Sequence, residues 1–256
     1  MTIALAIANQ TLREALRRRV MWIFLIIGVF LIVLGPVFGF LSPKDSQTVL
    51  RSLGLAAILL AGVFITIVTC IYLIPVEIER RTIYTVLSKP VQRYEFVLGK
   101  FMGGFSVVFI NILSMSVVFL AMIWMQEKRM PDEMVKGVVM TMFQMLLLAA
   151  LTIFFSTFTT PVVNFFLSFG IFMIGNLTSV TESLTTKNNA LVRGAGTIIH
   201  YILPNFGNFN IQNALIRPTT QITNENIFLR NNMVYAVIYS AVLLVLAIII
   251  FDRREV

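Results

Sequence analysis

One cysteine, Cys70, and one histidine, His200, are all that this 256-residue chain offers of either type. A disulfide within the chain is therefore excluded. So is a structural zinc site, which needs about four Cys or His ligands. Charge is scarce as well: 12% of residues are Asp, Glu, Lys or Arg and 58% are hydrophobic, against about 25% and 45–50% in soluble domains. Mean hydropathy is +0.89. So few polar residues cannot cover so much apolar surface in water, so the solvent for most of the chain is lipid.

Other absences narrow the chemistry. No Gly-x-x-x-x-Gly-Lys-Ser/Thr phosphate loop is present, and Gly99-Lys100 is followed by Phe101. His200 has no neighbouring nucleophile and reads as structural. The apolar runs contain no ionisable residue of the kind that marks ion or proton pathways in membranes. A lone intramembrane enzyme is disfavoured for the same reasons. Energy for any transport must come from outside the chain. The net charge of +8 comes with no basic face or aromatic platform for nucleic acid. It fits Lys and Arg gathered on membrane flanks. No secretory signal peptide is expected, because the first apolar run is too long for one.

What is present is a set of long apolar runs. Six can cross about 30 Å of hydrocarbon as helices: 21–41, 53–76, 101–125, 138–158, 161–180 and 233–251. None shows the alternation of a barrel strand. The expected fold class is an all-α integral membrane domain filling residues 1–256. Basic residues orient it. Arg17, Arg18 and Arg19 immediately precede the first span, which places the N-terminus in the cytoplasm. An even number of spans places the C-terminus there too.

Residues 1–20 read as an amphipathic interfacial helix, with Leu5, Ala8, Leu12, Ala15 and Leu16 opposite Gln10, Arg13, Glu14, Arg17 and Arg18. Such a helix either anchors the first span or contacts a partner. Between spans four and five, Thr159 or Thr160 can cap and Pro161 suits a first helical turn. Residues 181–232 form the long extracytoplasmic segment. Its "YILPNFGNFN" is too short an apolar piece to span, so it lies at the interface or re-enters.

The most charged stretch is "PVEIERRTIYTVLSKPVQRYEFVLGK", Pro75 to Lys100. Ile83, Val86 and Leu87 lie apolar on one side before Ser88-Lys89-Pro90, where proline ends a helix and begins another. Val91, Tyr94 and Leu98 follow at helical spacing. The reading is helix, proline corner, helix across the cytoplasmic mouth, over 77–100. A solvated loop needing only solubility would not require that spacing.

These residues resemble the ABC-2 type transporter permeases. The match rests on Glu77, Glu79, Arg80, Arg81, Thr82, Leu87, Ser88, Pro90, Arg93, Gly99 and Lys100. The departures are Arg81 where glycine is common, Val86 for leucine and Gln92 for serine or threonine. "NQTLREALRRRVMW" and "YILPNFGNFN" look like the branch that includes the permease for nitrous-oxide-reductase maturation. The resemblance implies a type V exporter-like architecture in the inner membrane and a non-catalytic subunit. Two copies would pair, each on a cytoplasmic ATPase that binds the ATP and magnesium, while this chain binds no cofactor. Residues 77–100 would be the coupling segment. Glu77, Glu79, Arg80, Arg81 and Arg93 would orient the docked surface, with Thr82, Ser88 and Pro90 shaping it and Ile83, Leu87 and Tyr94 as apolar anchors. Glu77 is also placed to pair with an arginine of the N-terminal helix.

Spans two and five face the pore in this family. That makes Thr66, Thr69, Phe165, Phe169 and Phe172 candidates for lining a pathway. Asn111, Ser114, Ser116, Gln144, Asn164, Ser168 and Asn176 either line a path or hold helices together. Met115, Met122 and Met145 either bind Cu(I) or pack. The alternative to solute transport is mechanical: the same motion passed to an extracytoplasmic partner through 181–232.

Overall fold

The computed structural model describes residues 2–41, 46–79, 92–128, 131–176, 203–210 and 225–253. Among them there is no strand. The helices are α1 (Thr2–Leu16), α2 (Arg19–Leu41), α3 (Ser46–Cys70), α4 (Pro75–Glu79), α5 (Arg93–Glu127), α6 (Asp132–Ser156), α7 (Pro161–Asn176) and α8 (Glu225–Asp252), with a 3₁₀ turn at Gly207–Phe209. Five stretches are long and apolar enough to cross a membrane: Arg19–Gly39, Ser46–Ile78, Arg93–Glu127, Asp132–Ser156 and Glu225–Asp252. The fifth expected span, 161–180, is described only as α7, 16 residues long, or about 24 Å at 1.5 Å per residue. Its expected continuation, 177–180, lies outside the described residues, as do 80–91 and most of 181–232.

Local chemistry sets the helix ends. The carbonyl of Leu16 would be orphaned at the end of α1, and it accepts the Trp22 indole N–H at 3.1 Å. The second expected span breaks after Cys70: Ile71–Ile74 form a turn and α4 starts at Pro75, as a residue without an N–H favours. Helix α5 stops at Lys128, whose left-handed backbone (φ 55°) lets its N–H reach the Trp124 carbonyl at 2.9 Å. Asp132 and Glu133 then sit in the first turn of α6, where the helix dipole favours acids. At the α6–α7 turn Pro161 does open α7. Thr159 works backwards, its hydroxyl donating to the Phe155 carbonyl at 2.8 Å to finish α6.

Helix α6 is the hub. Leu147, Leu148, Ala149, Ala150 and Ile153 are fully enclosed, with α3, α5, α7 and α8 around them. Helix α2 is the opposite case. It packs on α3 and α5, yet Trp22, Ile23, Ile26, Phe30, Val33 and Val37 stand exposed along it. A continuous apolar face of that length is unsuited to water and suited to hydrocarbon.

The polar groups within spans mostly satisfy themselves. Thr66, Asn111, Ser114, Ser116, Thr141 and Thr152 each donate to the carbonyl four residues back in their own helix. Others join helices. Asn164 donates to the Thr152 carbonyl at 3.0 Å and accepts from Ser168 at 2.9 Å. Met115 and Met145 are fully buried and lie over Gly28 and Gly62. In these places they fill the room that a glycine leaves in a helix contact.

Candidate functional site

Both ends of the chain meet at the start of α5. Small residues make the first contact. A β-carbon placed on Gly99 would stand 2.8 Å from the Ala4 carbonyl oxygen, and one on Gly103 would stand 2.7 Å from that of Ala8. Glycines four apart therefore let the α1 backbone lie directly on α5, as small residues do between membrane helices. The buried face of α1 is Ala8, Thr11 and Ala15, while Leu5 is exposed. This corrects the expected apolar face, which had grouped Leu5 with Ala8. It also shows that α1 is packed on the bundle as well as amphipathic.

Charge makes the second contact. Lys100 is buried and its ammonium group meets the Glu77 carboxylate of α4. Glu77 of α4 is thereby tied to Lys100 of α5. The Lys100 ammonium also lies 5.7 Å from the centroid of the Phe96 ring. Glu95, in the first turn of α5, is buried and accepts the Gln92 backbone N–H at 3.4 Å. Acids at that position suit the positive end of the helix.

Arg93 makes the third contact. Its guanidinium donates to the Phe251 and Asp252 carbonyls at 3.3 and 2.6 Å, and its Nε lies 3.8 Å from the Asp252 carboxylate. The last carbonyls of a helix lack partners within it and carry its negative dipole end, so an arginine is well placed there. Arg93 thereby ties α5 to α8. Phe96 stacks on Phe251 beneath it, with ring centroids 5.7 Å apart.

The other docking candidates fall into two groups. Tyr94 is exposed on the first turn of α5, and Glu79 closes α4. Arg80, Arg81, Thr82, Ile83, Leu87, Ser88 and Pro90 lie outside the described residues. What the structure supplies is the pair of flanks, α4 and the start of α5, held to α1 and α8.

The lining candidates divide. Thr66 is fully buried with its hydroxyl on the Gly62 carbonyl at 2.7 Å. Phe172 is buried against Phe206, 5.2 Å between ring centroids. Both are enclosed by the helices around them. Thr69, Phe165 and Phe169 are only partly covered. Phe169 belongs to a tier of rings that crosses three helices. Phe24 stacks on Phe64 at 5.5 Å, Phe64 on Phe169 at 5.9 Å and Phe169 on Phe165 at 6.1 Å.

At the other end of the bundle lies a polar knot, in the segment expected to lie at the interface or to re-enter. Residues 203–210 fold back against α6, α7 and α8. Gln144 donates to the Phe206 carbonyl at 3.1 Å and to Asn176 at 3.3 Å. Tyr235 accepts the Asn205 backbone N–H at 3.0 Å, and Asn232 donates to the Asn208 carbonyl at 3.2 Å. Phe206 and Phe209 are buried. Non-helical backbone at membrane depth is tolerated only when enclosed this way. Two ion pairs rim the same end: Arg51 with Glu127, 3.0 Å from Nε, and Lys136 with Glu225 at 2.9 Å.

Long apolar helices around a buried hub, with charges confined to their ends, define a multi-pass membrane protein. The ABC-2 family transporter protein model matches residues 5–256, nearly the whole chain, so the protein belongs to the ABC-2 family of transporter membrane components. No curated protein matches it in sequence. Family membership makes the chain a permease component, a class that is generally not itself catalytic.

Proposed function

We propose that the chain is the membrane-spanning subunit of an ATP-driven exporter in the cytoplasmic membrane, with both termini in the cytoplasm. It works as a pair. A separate ATPase, one per subunit, binds ATP and magnesium and docks on residues 77–100. The observation that supports this best is the fastening of that segment's flanks. Glu77 of α4 is clamped to Lys100 of α5, α5 is laid on α1 through Gly99 and Gly103, and Arg93 holds the end of α8. A push delivered between α4 and α5 reaches four helices at once. Such a lever has a use only if something pushes on it, and the chain has no phosphate loop of its own.

The test is retention of ATPase. Tagged protein purified from its own membranes should carry ATP-hydrolysing activity, and the double variant Arg80→Glu/Arg81→Glu should lose it while inserting normally. Arg93 is left intact, because its tie to α8 would confuse assembly with folding. Equal ATPase in both preparations would overturn the reading.

A further inference from the structure

Beside the α1–α5 contact, a slot of about 70 Å³ opens between α1, α2 and α3. Its polar side is formed by Thr11, Glu14, Arg18 and Tyr72, and Phe24 and Val68 are among its apolar wall. Thr11 is 98% covered (2% exposed) and its hydroxyl oxygen has no hydrogen-bond partner. A buried hydroxyl without a partner costs free energy, so an unfilled acceptor or donor here points to a ligand. Arg18 stands at the mouth, held by Glu14 at 2.9 Å and 6.0 Å from the centre of the Tyr72 ring. An exposed pair of that kind is weak, so its arginine can be shared with an anion.

Across Tyr72 and Val68 the slot adjoins a second cleft, of about 290 Å³, between α3 and α7. Val162, Phe165 and Phe166 line it, and among the described residues no charged one does. The two clefts share Val68 and Tyr72 as lining, with the cationic, hydroxyl-bearing slot on one side and the apolar cleft on the other. It lies level with the arginines that border α2, where headgroups of one leaflet meet the protein.

We propose that this double cleft is a binding site for an anionic phospholipid. The Arg18 guanidinium takes the phosphate, and the Thr11 hydroxyl pairs with a headgroup or glycerol oxygen. An acyl chain passes over Tyr72 into the cleft between α3 and α7. The occupant is a lipid, not a soluble phosphate, because most of the lining is apolar and only the Arg18 end is cationic. This inference does not depend on any ATPase.

Native mass spectrometry of the purified chain, titrated with phosphatidylglycerol or phosphatidylcholine, tests it. The expected result is one tightly held phosphatidylglycerol per chain and little phosphatidylcholine. Arg18→Gln should weaken retention about tenfold, the scale of one lost charge-assisted contact. Val162→Trp, at an exposed position, should displace the lipid by filling the tail cleft without touching the head. Circular dichroism and gel filtration verify that each variant is folded. Equal retention of the two lipids would overturn the proposal, and so would an unchanged affinity in both variants. Displacement by inorganic phosphate as effective as by lipid would make the site one for free anions and also overturn it. A paired species that holds no lipid and falls apart on Val162→Trp would show a second copy seated there instead.

Discussion

The two ends of the bundle hold their chain crossings by different chemistry. Where the termini meet, the fasteners are charged: Glu77 to Lys100 and Arg93 to the end of α8. In the knot around residues 203–210 they are neutral amides, hydroxyls and backbone groups: Gln144, Asn176, Tyr235 and Asn232. The difference follows from depth. Gln144 lies six residues inside the apolar run that begins at Val138, about 9 Å along the helix. An ion there would lose most of its hydration, whereas an amide can be satisfied completely by a carbonyl and a second amide. Glu77 lies in the short α4 and Lys100 directly before the apolar run that begins at Phe101, and with 19% of the Glu77 side chain exposed water can reach part of the pair. The opposite rim obeys the same rule, since Arg51–Glu127 and Lys136–Glu225 sit at helix mouths too. Charges fasten ends, and neutral groups fasten what lies within the hydrocarbon.

The sharpest way to break this comparison is to strip one partner from the charged clamp. Lys100→Met leaves the Glu77 carboxylate with a lost partner in a largely covered site, and the expected cost is about 3–5 kcal/mol. Adding Glu77→Gln should recover much of it. Thermal unfolding in detergent reads both, and a double variant no better than the single would show that the pair is not the cause. Next comes steric fastening. Gly103→Leu pushes a side chain into the Ala8 carbonyl and should cost about 1–3 kcal/mol. Limited proteolysis should then cut within α1, whereas wild type is protected.

The neutral knot should respond on a similar or smaller scale. Gln144→Leu abandons the Phe206 carbonyl and should cost about 1–3 kcal/mol. Hydrogen exchange should quicken at residues 205–210 and stay unchanged at 93–100. A global increase would mean that the two ends are not separate units. Smallest is Asp252→Asn, whose carboxylate is exposed and whose backbone carbonyl still receives Arg93. A shift below about 1 kcal/mol is expected, and a larger one would give the side chain a weight that its geometry does not.

Much of the layout was legible in the sequence because apolar run length is a local property. The positions of α2, α3, α5, α6 and α8 follow from it, whereas the break after Cys70, inside the expected span 53–76, does not. The α1–α5 contact was not read, although its signal was present: Gly99 and Gly103 four apart, facing Ala4, Ala8 and Thr11 at similar spacing. Small residues on one helix suggest close packing but do not name the partner helix. The burial of Lys100 and Glu95 is not legible in the sequence, because burial near the start of a helix depends on what lands on it. Which face Thr66 and Phe172 take is not legible in the sequence, because a uniformly apolar helix has no polar side to show which way it turns. The ring tier through Phe24, Phe64 and Phe169 likewise needs three helices in place before it exists.

The central claim is that the terminal end of the bundle is one fastened body on which an external drive acts. Spin labels at three exposed positions, Leu5 on α1, Tyr94 on α5 and Arg253 just beyond α8, report on it directly. In the reconstituted permease–ATPase assembly, pulsed electron resonance should give the same narrow Leu5–Tyr94 and Tyr94–Arg253 distances with and without ATP. Label pairs between Tyr94 and Val234, in the first half of α8, should change. A nucleotide-dependent change in either of the first two distances would contradict the account.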